Sequence, residues 1–131
     1  MIPVATLRSI ARARLRDAGV LLQARRYDAA AYLCGYVVEI ALKARICRTL
    51  GWSGFPETPA EFKGLGSLRT HDLGVLVRFS GVEERILSEY LSEWSLALNW
   101  DPDRRYKVAG SVTAEMALTS VKGAATLLSA I

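Results

Sequence analysis

The fold of this chain is decided by the stretch Tyr27-Asp28-Ala29-Ala30-Ala31-Tyr32-Leu33-Cys34-Gly35-Tyr36-Val37-Val38-Glu39-Ile40-Ala41-Leu42-Lys43-Ala44-Arg45-Ile46. Only Gly35, Glu39 and Lys43 interrupt an apolar run from Ala29 to Ala44. A helix that is apolar on nearly all sides must be surrounded by other helices. The stretch therefore predicts the central helix of a helical bundle.

Two long helices are predicted in the first half of the chain. Apolar residues at three- and four-residue steps indicate a first helix from Val4 to Ala24. The central helix begins at Tyr27 or Asp28 and continues to about Leu50, where Gly51 is placed to end it. A loop with several prolines and glycines follows from Trp52 to Thr70.

Three more helices are predicted in the second half. A short helix capped by Thr70 runs to about Phe79. The capping box Ser80-Gly81-Val82-Glu83 opens a fourth helix that reaches Leu98, and a last helix runs from Ser111 or Val112 almost to Ile131. No segment alternates between apolar and polar residues, so strands are not predicted. The expected fold is all-α, with about five helices and no sheet.

The composition is that of one folded domain. The chain has 131 residues, of which 51% are apolar and 23% charged, so it can bury a core without staples. No apolar run reaches the ~20 residues that a membrane span needs, and the region after Met1 lacks the layout of a signal peptide. We expect a single domain over residues 1–131, no membrane contact and, by default, a cytoplasmic location.

The cysteines and the histidine do not form a metal-binding pattern. Cys34 and Cys47 lie on one predicted helix, about 20 Å apart along its axis, so they cannot form a disulfide with each other. A structural zinc site needs four ligands at short spacings, whereas the chain has two cysteines and one histidine. We expect no metal site and no cofactor.

Positive charge is concentrated in the first half of the chain. Residues 1–50 hold nine Lys and Arg against three Asp and Glu, whereas the remainder holds eight against ten. Arg8, Arg12 and Arg16 form a row at four-residue steps, which is unfavourable unless an anion or Asp17 relieves the repulsion. The row is the best candidate for a basic patch that meets nucleic acid or nucleotide, although most such arginines are only solvated.

Three polar side chains need an explanation in a bundle. Glu39 and Lys43 stand four residues apart, so they either line a ligand pocket or form a structural pair, with Arg105, Tyr106 or His71 as further partners. We favour the structural pair. His71, before Asp72 at a predicted helix start, is a candidate acid–base group, but a capping or interhelical hydrogen bond is the simpler interpretation.

The run Arg104-Arg105-Tyr106-Lys107 is the candidate ligand-binding segment, together with His71. Basic side chains beside an aromatic ring suit phosphate contact and base stacking, although Asp101 and Asp103 partly offset the charge. Trp52, Trp94 and Trp100 are expected as core or interface anchors, with Trp100 in an exposed connection.

Four pieces of this sequence, in their order, resemble the HEPN domain, a helical nucleotide-binding domain of higher eukaryotes and prokaryotes. They are Arg26-Tyr27-Asp28-Ala29-Ala30, Gly35-Tyr36-Val37-Val38-Glu39-Ile40-Ala41-Leu42-Lys43-Ala44, Thr70-His71-Asp72-Leu73, and Arg105-Tyr106. The resemblance implies an up-and-down helical bundle, commonly a homodimer, that binds nucleotide or RNA or partners a small nucleotidyltransferase.

The sequence departs from many active members of that family in one motif. Those members resemble one another in an arginine and a following histidine with four to six residues between them, a motif that serves metal-independent RNA cleavage. Here the positions that could supply the arginine before His71 are Gly64, Leu65 and Gly66, and no histidine follows Arg104 or Arg105. The departure argues against that activity, and we assign no catalytic residue.

Three functions are compatible with these observations. The leading hypothesis is a non-catalytic binding or regulatory domain, homodimeric, with nucleotide or RNA as its ligand. The alternatives are a degenerate RNase toxin that uses His71 with Arg104 or Arg105 and Glu39, and a helper subunit for a nucleotidyltransferase in a toxin–antitoxin pair.

Overall fold

A computed structural model describes residues 1–131 and is mostly helical, as predicted. Its six α-helices and two short strands are α1 (Val4–Gln23), α2 (Tyr27–Leu50), α3 (Leu73–Ser80), α4 (Glu83–Glu89), α5 (Leu91–Leu98), α6 (Ala114–Ala130), β1 (Ile2–Pro3) and β2 (Gly54–Phe55). Two 3-10 turns cover Gly66–Leu68 and Pro102–Tyr106. No helix is both long enough and apolar enough to cross a membrane.

The expected count of about five helices is slightly wrong, because the predicted fourth helix is two helices. At Tyr90 the backbone leaves helical geometry, with φ −131° and ψ 33°, and separates α4 from α5. The predicted capping box is also absent. Ser80 belongs to α3, where its hydroxyl donates to the Val77 carbonyl and accepts from the Val82 amide, so it is not free to cap α4.

The expectation of no sheet is wrong as well. The strands β1 and β2 pair antiparallel, Ile2 with Phe55 and Pro3 with Gly54. Gly54 is required there, because a Cβ at that position would lie 2.6 Å from the Ile2 carbonyl oxygen. Each strand has only two residues, too short for any alternation to be visible in the sequence.

The central helix is α2, as the sequence predicts. It buries 12 of its 24 residues, more than any other helix, and packs against α1, α3, α5 and α6. Gly51 ends it in the left-handed conformation, with φ +70°. Because α2 is buried on several sides, its polar side chains lie in narrow strips along the helix. These strips contribute to the sites described below.

Trp100 differs from the expectation of an exposed connection, whereas the expectation of a core anchor is confirmed for Trp94. Trp94 and Trp100 are 2% and 8% exposed and belong to the hydrophobic core, while Trp52 is half-buried against it. Trp100 packs so closely on α2 that a Cβ on Gly35 would lie 1.9 Å from the Trp100 Cδ2 atom. The indole therefore occupies the space that the missing side chain of Gly35 leaves.

Candidate functional site

One strip of α2 carries four polar side chains at successive helical turns. Tyr32, Tyr36, Glu39 and Lys43 are separated by four, three and four residues, which places them on the same face. The Tyr32 and Tyr36 hydroxyls are 3.1 Å apart, and Lys43 Nζ donates to Glu39 Oε1 over 2.6 Å. The strip forms one wall of the candidate site.

The carboxylate of Glu39 is the centre of this strip. Its side chain is 4% exposed and contacts His71 as well as Lys43, with Nδ1 of His71 3.0 Å from Oε1 and 3.1 Å from Oε2. A buried carboxylate is costly unless cations or donors surround it. Glu39 thus joins the central helix to the segment before α3.

The loop before α3 positions His71. Asp72 caps α3 by accepting from the Val75 amide over 3.2 Å, and Thr70 Oγ accepts from the Asp72 amide over 3.0 Å. The predicted cap, Thr70, therefore lies outside the cap position, which Asp72 occupies. These two bonds fix the backbone on either side of the histidine.

The contact with Glu39 also assigns the tautomer of His71. A carboxylate only accepts hydrogen bonds when ionised, so Nδ1 carries the proton that faces it. The Nε2 atom makes no hydrogen bond within the protein, and the side chain is 58% exposed. The imidazole can therefore offer Nε2 to a ligand while Glu39 holds the ring in place.

His71 lies in a groove of about 650 Å³ between α2, the loop before α3 and the turn Pro102–Tyr106. We call it the histidine groove; among its lining residues are Tyr36, His71, Asp72, Trp100, Asp101 and Arg105. The volume lies within the range of sites for small ligands. Asp72 and Asp101 each cap the backbone next to them, so their carboxylates are partly engaged.

Arg105 is held at the other side of the histidine groove. Its Nη1 atom donates to the Pro102 carbonyl over 3.1 Å, and its guanidinium lies 4.6 Å from the centre of the Tyr106 ring. Hydrogen bonds to Tyr106 and Tyr32 raise the pKa of Arg105. The side chain is therefore a permanent cation in an exposed position.

Tyr36 supplies a neutral hydrogen-bonding group to the same groove. The bond to the Tyr32 hydroxyl and partial burial raise the pKa of Tyr36 to about 12. Its ring packs edge-on against His71 and Trp100, with centroid distances of 6.4 and 4.8 Å. The phenol stays protonated at neutral pH, and while it donates its single proton to Tyr32 its oxygen can still accept a hydrogen bond from a ligand.

Trp100 fixes the turn that carries Arg105. The indole Nε1 donates to the Tyr32 carbonyl over 2.9 Å, and the ring fills the space above Gly35. A carbonyl of an α-helix has a second lone pair, so this bond does not break the helix. The packing thereby sets the distance between α2 and the turn Pro102–Tyr106.

The structure divides the predicted ligand-binding residues between two places. His71 and Arg105 line the histidine groove together, although they lie 34 positions apart in the sequence. Arg104 and Lys107 line a separate cavity of about 250 Å³ with Asp28. Tyr106 is 75% exposed and contacts the Arg105 guanidinium.

The sequence reasoning missed Tyr32, Tyr36 and Trp100 as parts of the site. Counted among the apolar residues of the central helix, the tyrosines share their face with Glu39 and Lys43. The spacing from Tyr32 to Lys43 was the available signal. No local sequence pattern indicates that Trp100 belongs to the site, because its close approach to Gly35 depends on the tertiary fold.

No group of three or more His, Cys, Asp or Glu side chains in the structure could hold a metal ion. Beside the carboxylates of Asp72, Asp101 and Asp103, the histidine groove offers a ligand an imidazole, a guanidinium and a phenol. An imidazole can donate or accept a proton, and a guanidinium can pair with a phosphate through two parallel hydrogen bonds. These groups suit a phosphate-bearing ligand.

Comparisons with known proteins support the resemblance stated above. The family model of the HEPN domain matches residues 4–59, which include α1, α2, β2 and Glu39 with Lys43. The match ends before His71 and Arg105. Searches of curated proteins and of solved structures found no match to this chain.

Proposed function

We propose that this chain, whose residues 4–59 match the family model of the HEPN domain, is a binding or regulatory domain whose histidine groove takes nucleotide or RNA. The observation that carries this proposal is the convergence of His71 and Arg105 on one open groove. A guanidinium fixed by its own backbone contact loses little freedom on binding a phosphate. The Tyr36 phenol and the imidazole add directional hydrogen bonds to the same ligand.

Binding can be tested with a fluorescent oligoribonucleotide and a panel of nucleotides, read by anisotropy and calorimetry. We expect Arg105→Ala to weaken binding about tenfold or more, because a charge-assisted hydrogen bond contributes about 1.5–3 kcal/mol. Arg104→Ala is the matched control: it removes the same charge from the adjacent position, which lines a different cavity. Equal losses in both variants, or no binding by the unmodified protein, would contradict the proposal.

Metal-independent RNA cleavage is the second candidate, and the Glu39–His71 contact favours it. That alternative requires an accessible histidine near an arginine, and His71 is 58% exposed in the groove that Arg105 lines. With Nδ1 held by Glu39, Nε2 is free to accept the proton of a ribose 2′-hydroxyl as that oxygen attacks the phosphorus. The bond from phosphorus to the 5′-oxygen breaks, this oxygen takes up a proton from water, and the other product is a 2′,3′-cyclic phosphate.

A cleavage assay separates the two candidates. If the chain is an RNase, it cuts an all-ribose oligonucleotide, a single 2′-deoxy substitution blocks the cut, and His71→Ala removes activity but not binding. If it is a binding domain only, RNA bound in the histidine groove stays intact. The absence of the arginine–histidine motif leads us to expect intact RNA.

We also propose that the protein is a homodimer. The resemblance to HEPN domains supports this state, and so do the exposed apolar side chains Leu91 and Leu98 on α5, 57% and 49% exposed. Trp94 and Trp100 are buried within the chain and therefore add no support for an interface. Light scattering tests the proposal: a mass near 29 kDa is expected from a chain of 14.4 kDa, since twice 14.4 is 28.8, and a monomer contradicts it.

A further inference from the structure

A second groove lies on the opposite side of α2. It has a volume of about 350 Å³ and is formed by α1, α2 and the end of α6. We call it the arginine groove; its lining residues include Arg8, Arg12, Arg45, Arg48, Leu128 and Ser129. Successive residues of a helix turn by about 100°, so Arg45 and Arg48 point roughly half a turn away from Glu39 and Lys43.

No carboxylate side chain balances the charge of this groove. None of its lining side chains is acidic, and none of its arginines takes part in a salt bridge with a side chain. Ile131 also lines the groove, and its main-chain oxygen accepts from Arg45. Asp17, one of the two alternatives that the sequence left for relieving the row on α1, pairs with Arg14 over 3.2 Å. The repulsion between Arg8 and Arg12 is therefore uncompensated.

Two arginines in this region have a structural task at the end of α6. Arg45 Nη1 donates to the Ile131 carbonyl over 3.5 Å, and Arg85 donates to the Ala130 carbonyl. Cations at a helix C-terminus satisfy its free carbonyls. Arg8, Arg12 and Arg48 have no such partner and are exposed, so three guanidinium groups remain available to a ligand.

Arg45 itself is incompletely satisfied. Its Nε atom is buried without a hydrogen-bond partner. Burial, and repulsion from Arg48, Arg85 and Arg8, lower the pKa of Arg45. Buried donors in proteins are nearly always bonded, so the Nε atom of Arg45 is an unusual unsatisfied donor beside the groove.

We propose that the arginine groove is an anion site, separate from the histidine groove, that binds the triphosphate group of a small ligand. A single monovalent anion would leave most of the charge unbalanced, whereas a triphosphate offers several oxygens to the planar forks of three or four arginines. The volume suits a compact ligand rather than a long strand. The ligand can be inorganic triphosphate or a nucleoside triphosphate, since both present the same group.

Calorimetry with inorganic triphosphate and with ATP, both without magnesium, tests the site. The variant Arg12→Gln/Arg48→Gln removes two exposed groove arginines, and we expect it to weaken both ligands about tenfold or more. The control Arg78→Gln/Lys122→Gln makes the same change in charge at two exposed positions outside the groove, and we expect less than about a twofold effect there. Circular dichroism checks that both variants are folded.

The two ligands identify the source of the phosphate. Equal affinities mean that the groove recognises only the phosphates; tighter binding of ATP means that the nucleoside also contacts the groove. The proposal is overturned if neither ligand binds, or if the control variant loses as much affinity as the groove variant.

Arg105→Ala separates this site from the proposed function. It should leave triphosphate binding in the arginine groove unchanged even where it abolishes RNA binding in the histidine groove. If Arg105→Ala removes the triphosphate, the ligand occupies the histidine groove and the arginine groove is not the site.

Discussion

The two sides of α2 treat charge in opposite ways. On the side of the histidine groove, both acidic residues of the helix, Asp28 and Glu39, have partners: backbone amides for the first, Lys43 and His71 for the second. No acidic side chain lines the arginine groove on the other side, and Arg45 and Arg48 line it together with Arg8 and Arg12 from α1.

The difference follows from how deeply each side is buried. Glu39 is 4% exposed, and an unpaired charge there would cost several kcal/mol, so the fold must supply cations. Arg48 and its neighbours on α1 reach solvent, where like charges repel by only a few tenths of a kcal/mol per pair. The paired charges on the side of the histidine groove stabilise the fold. The unpaired arginines on the side of the arginine groove create a positive potential that favours an anionic ligand.

The largest expected effect comes from breaking the paired side at Glu39. Glu39→Gln leaves Lys43, whose side chain is 18% exposed, without its counter-charge, and we expect the free energy of unfolding to fall by about 3 kcal/mol. Urea unfolding followed by circular dichroism measures it. The control is Glu39→Gln/Lys43→Met, which should recover much of the lost stability because no buried charge remains. If the free energy of unfolding of Glu39→Gln lies within about 1 kcal/mol of that of the parent, the pair is hydrated and contributes little to stability.

A smaller loss is expected from a methyl group at Gly35. Gly35→Ala places a Cβ against the Trp100 indole, so the ring must move away, and we expect about 2 kcal/mol of destabilisation. RNA binding in the histidine groove should weaken with it, because Trp100 also positions the turn that carries Arg105. Triphosphate binding in the arginine groove should persist.

Gly19→Ala is the matched control for that experiment. Gly19 is also inside a helix, but a Cβ there meets nothing within 4 Å. Alanine has the higher helix propensity, so this variant should gain about 0.5–1 kcal/mol in urea unfolding. A loss at Gly19, or no loss at Gly35, would contradict the account of why α2 contains a glycine.

The pH dependence of stability tests the contribution of Asp28, the second acidic residue of α2. The Asp28 carboxylate accepts from the Gly110 amide over 2.6 Å and from the Val112 amide over 3.0 Å, and these bonds lower its pKa. A carboxyl group with a lowered pKa in the folded state stabilises the protein above its unfolded pKa, which is about 3.9. That contribution is lost as the pH falls through the folded value.

Asp28→Asn should therefore remove one pH-dependent part of the stability. At neutral pH the variant should be less stable than the parent, and the difference should shrink as the pH falls below about 4. Urea unfolding at pH 7, 4 and 3 compares the two. Glu115→Gln serves as the control, because that exposed carboxyl makes no salt bridge; a constant difference between Asp28→Asn and the parent at all pH values would show that the charge of Asp28 is not involved.

Sequence periodicity was sufficient for the long helices and insufficient for the short elements. The bounds of α1 and α2 agree with the predicted ones almost to the residue, because each has a long apolar pattern and a clear end, such as Gly51. The break at Tyr90 and the two-residue strands leave no such pattern. Ser80 shows why a local motif can mislead. Its hydroxyl donates to the Val77 carbonyl within α3 and does not cap α4.

The candidate sites depend on contacts between distant parts of the chain. The sequence singled out Glu39, His71 and Arg105 individually, but the contact between Glu39 and His71 spans 32 positions and no local rule predicts it. The row of arginines on α1 was visible in the sequence. Its partners on α2 and the end of α6 became visible only once α1, α2 and α6 had been packed together.

The smallest expected effect concerns the unpaired side and has the opposite sign. Arg12 stands four residues from both Arg8 and Arg16 on α1, so Arg12→Gln removes two repulsive pairs while keeping the helix propensity. In the absence of a bound anion and at low salt, we expect the variant to be more stable than the parent by about 0.5 kcal/mol. Screening by about 1 M sodium chloride should abolish the gain.

The anion dependence of the same variant connects stability to the proposed triphosphate site. Inorganic triphosphate binds the folded state only, so it should raise the thermal midpoint of the parent more than that of Arg12→Gln. The order of stability should then reverse, with the parent above the variant at saturating triphosphate. If Arg12→Gln stays more stable than the parent both without and with triphosphate, the arginines on this side of α2 destabilise the fold and bind no triphosphate. The contrast between the two sides of α2 then reflects burial alone.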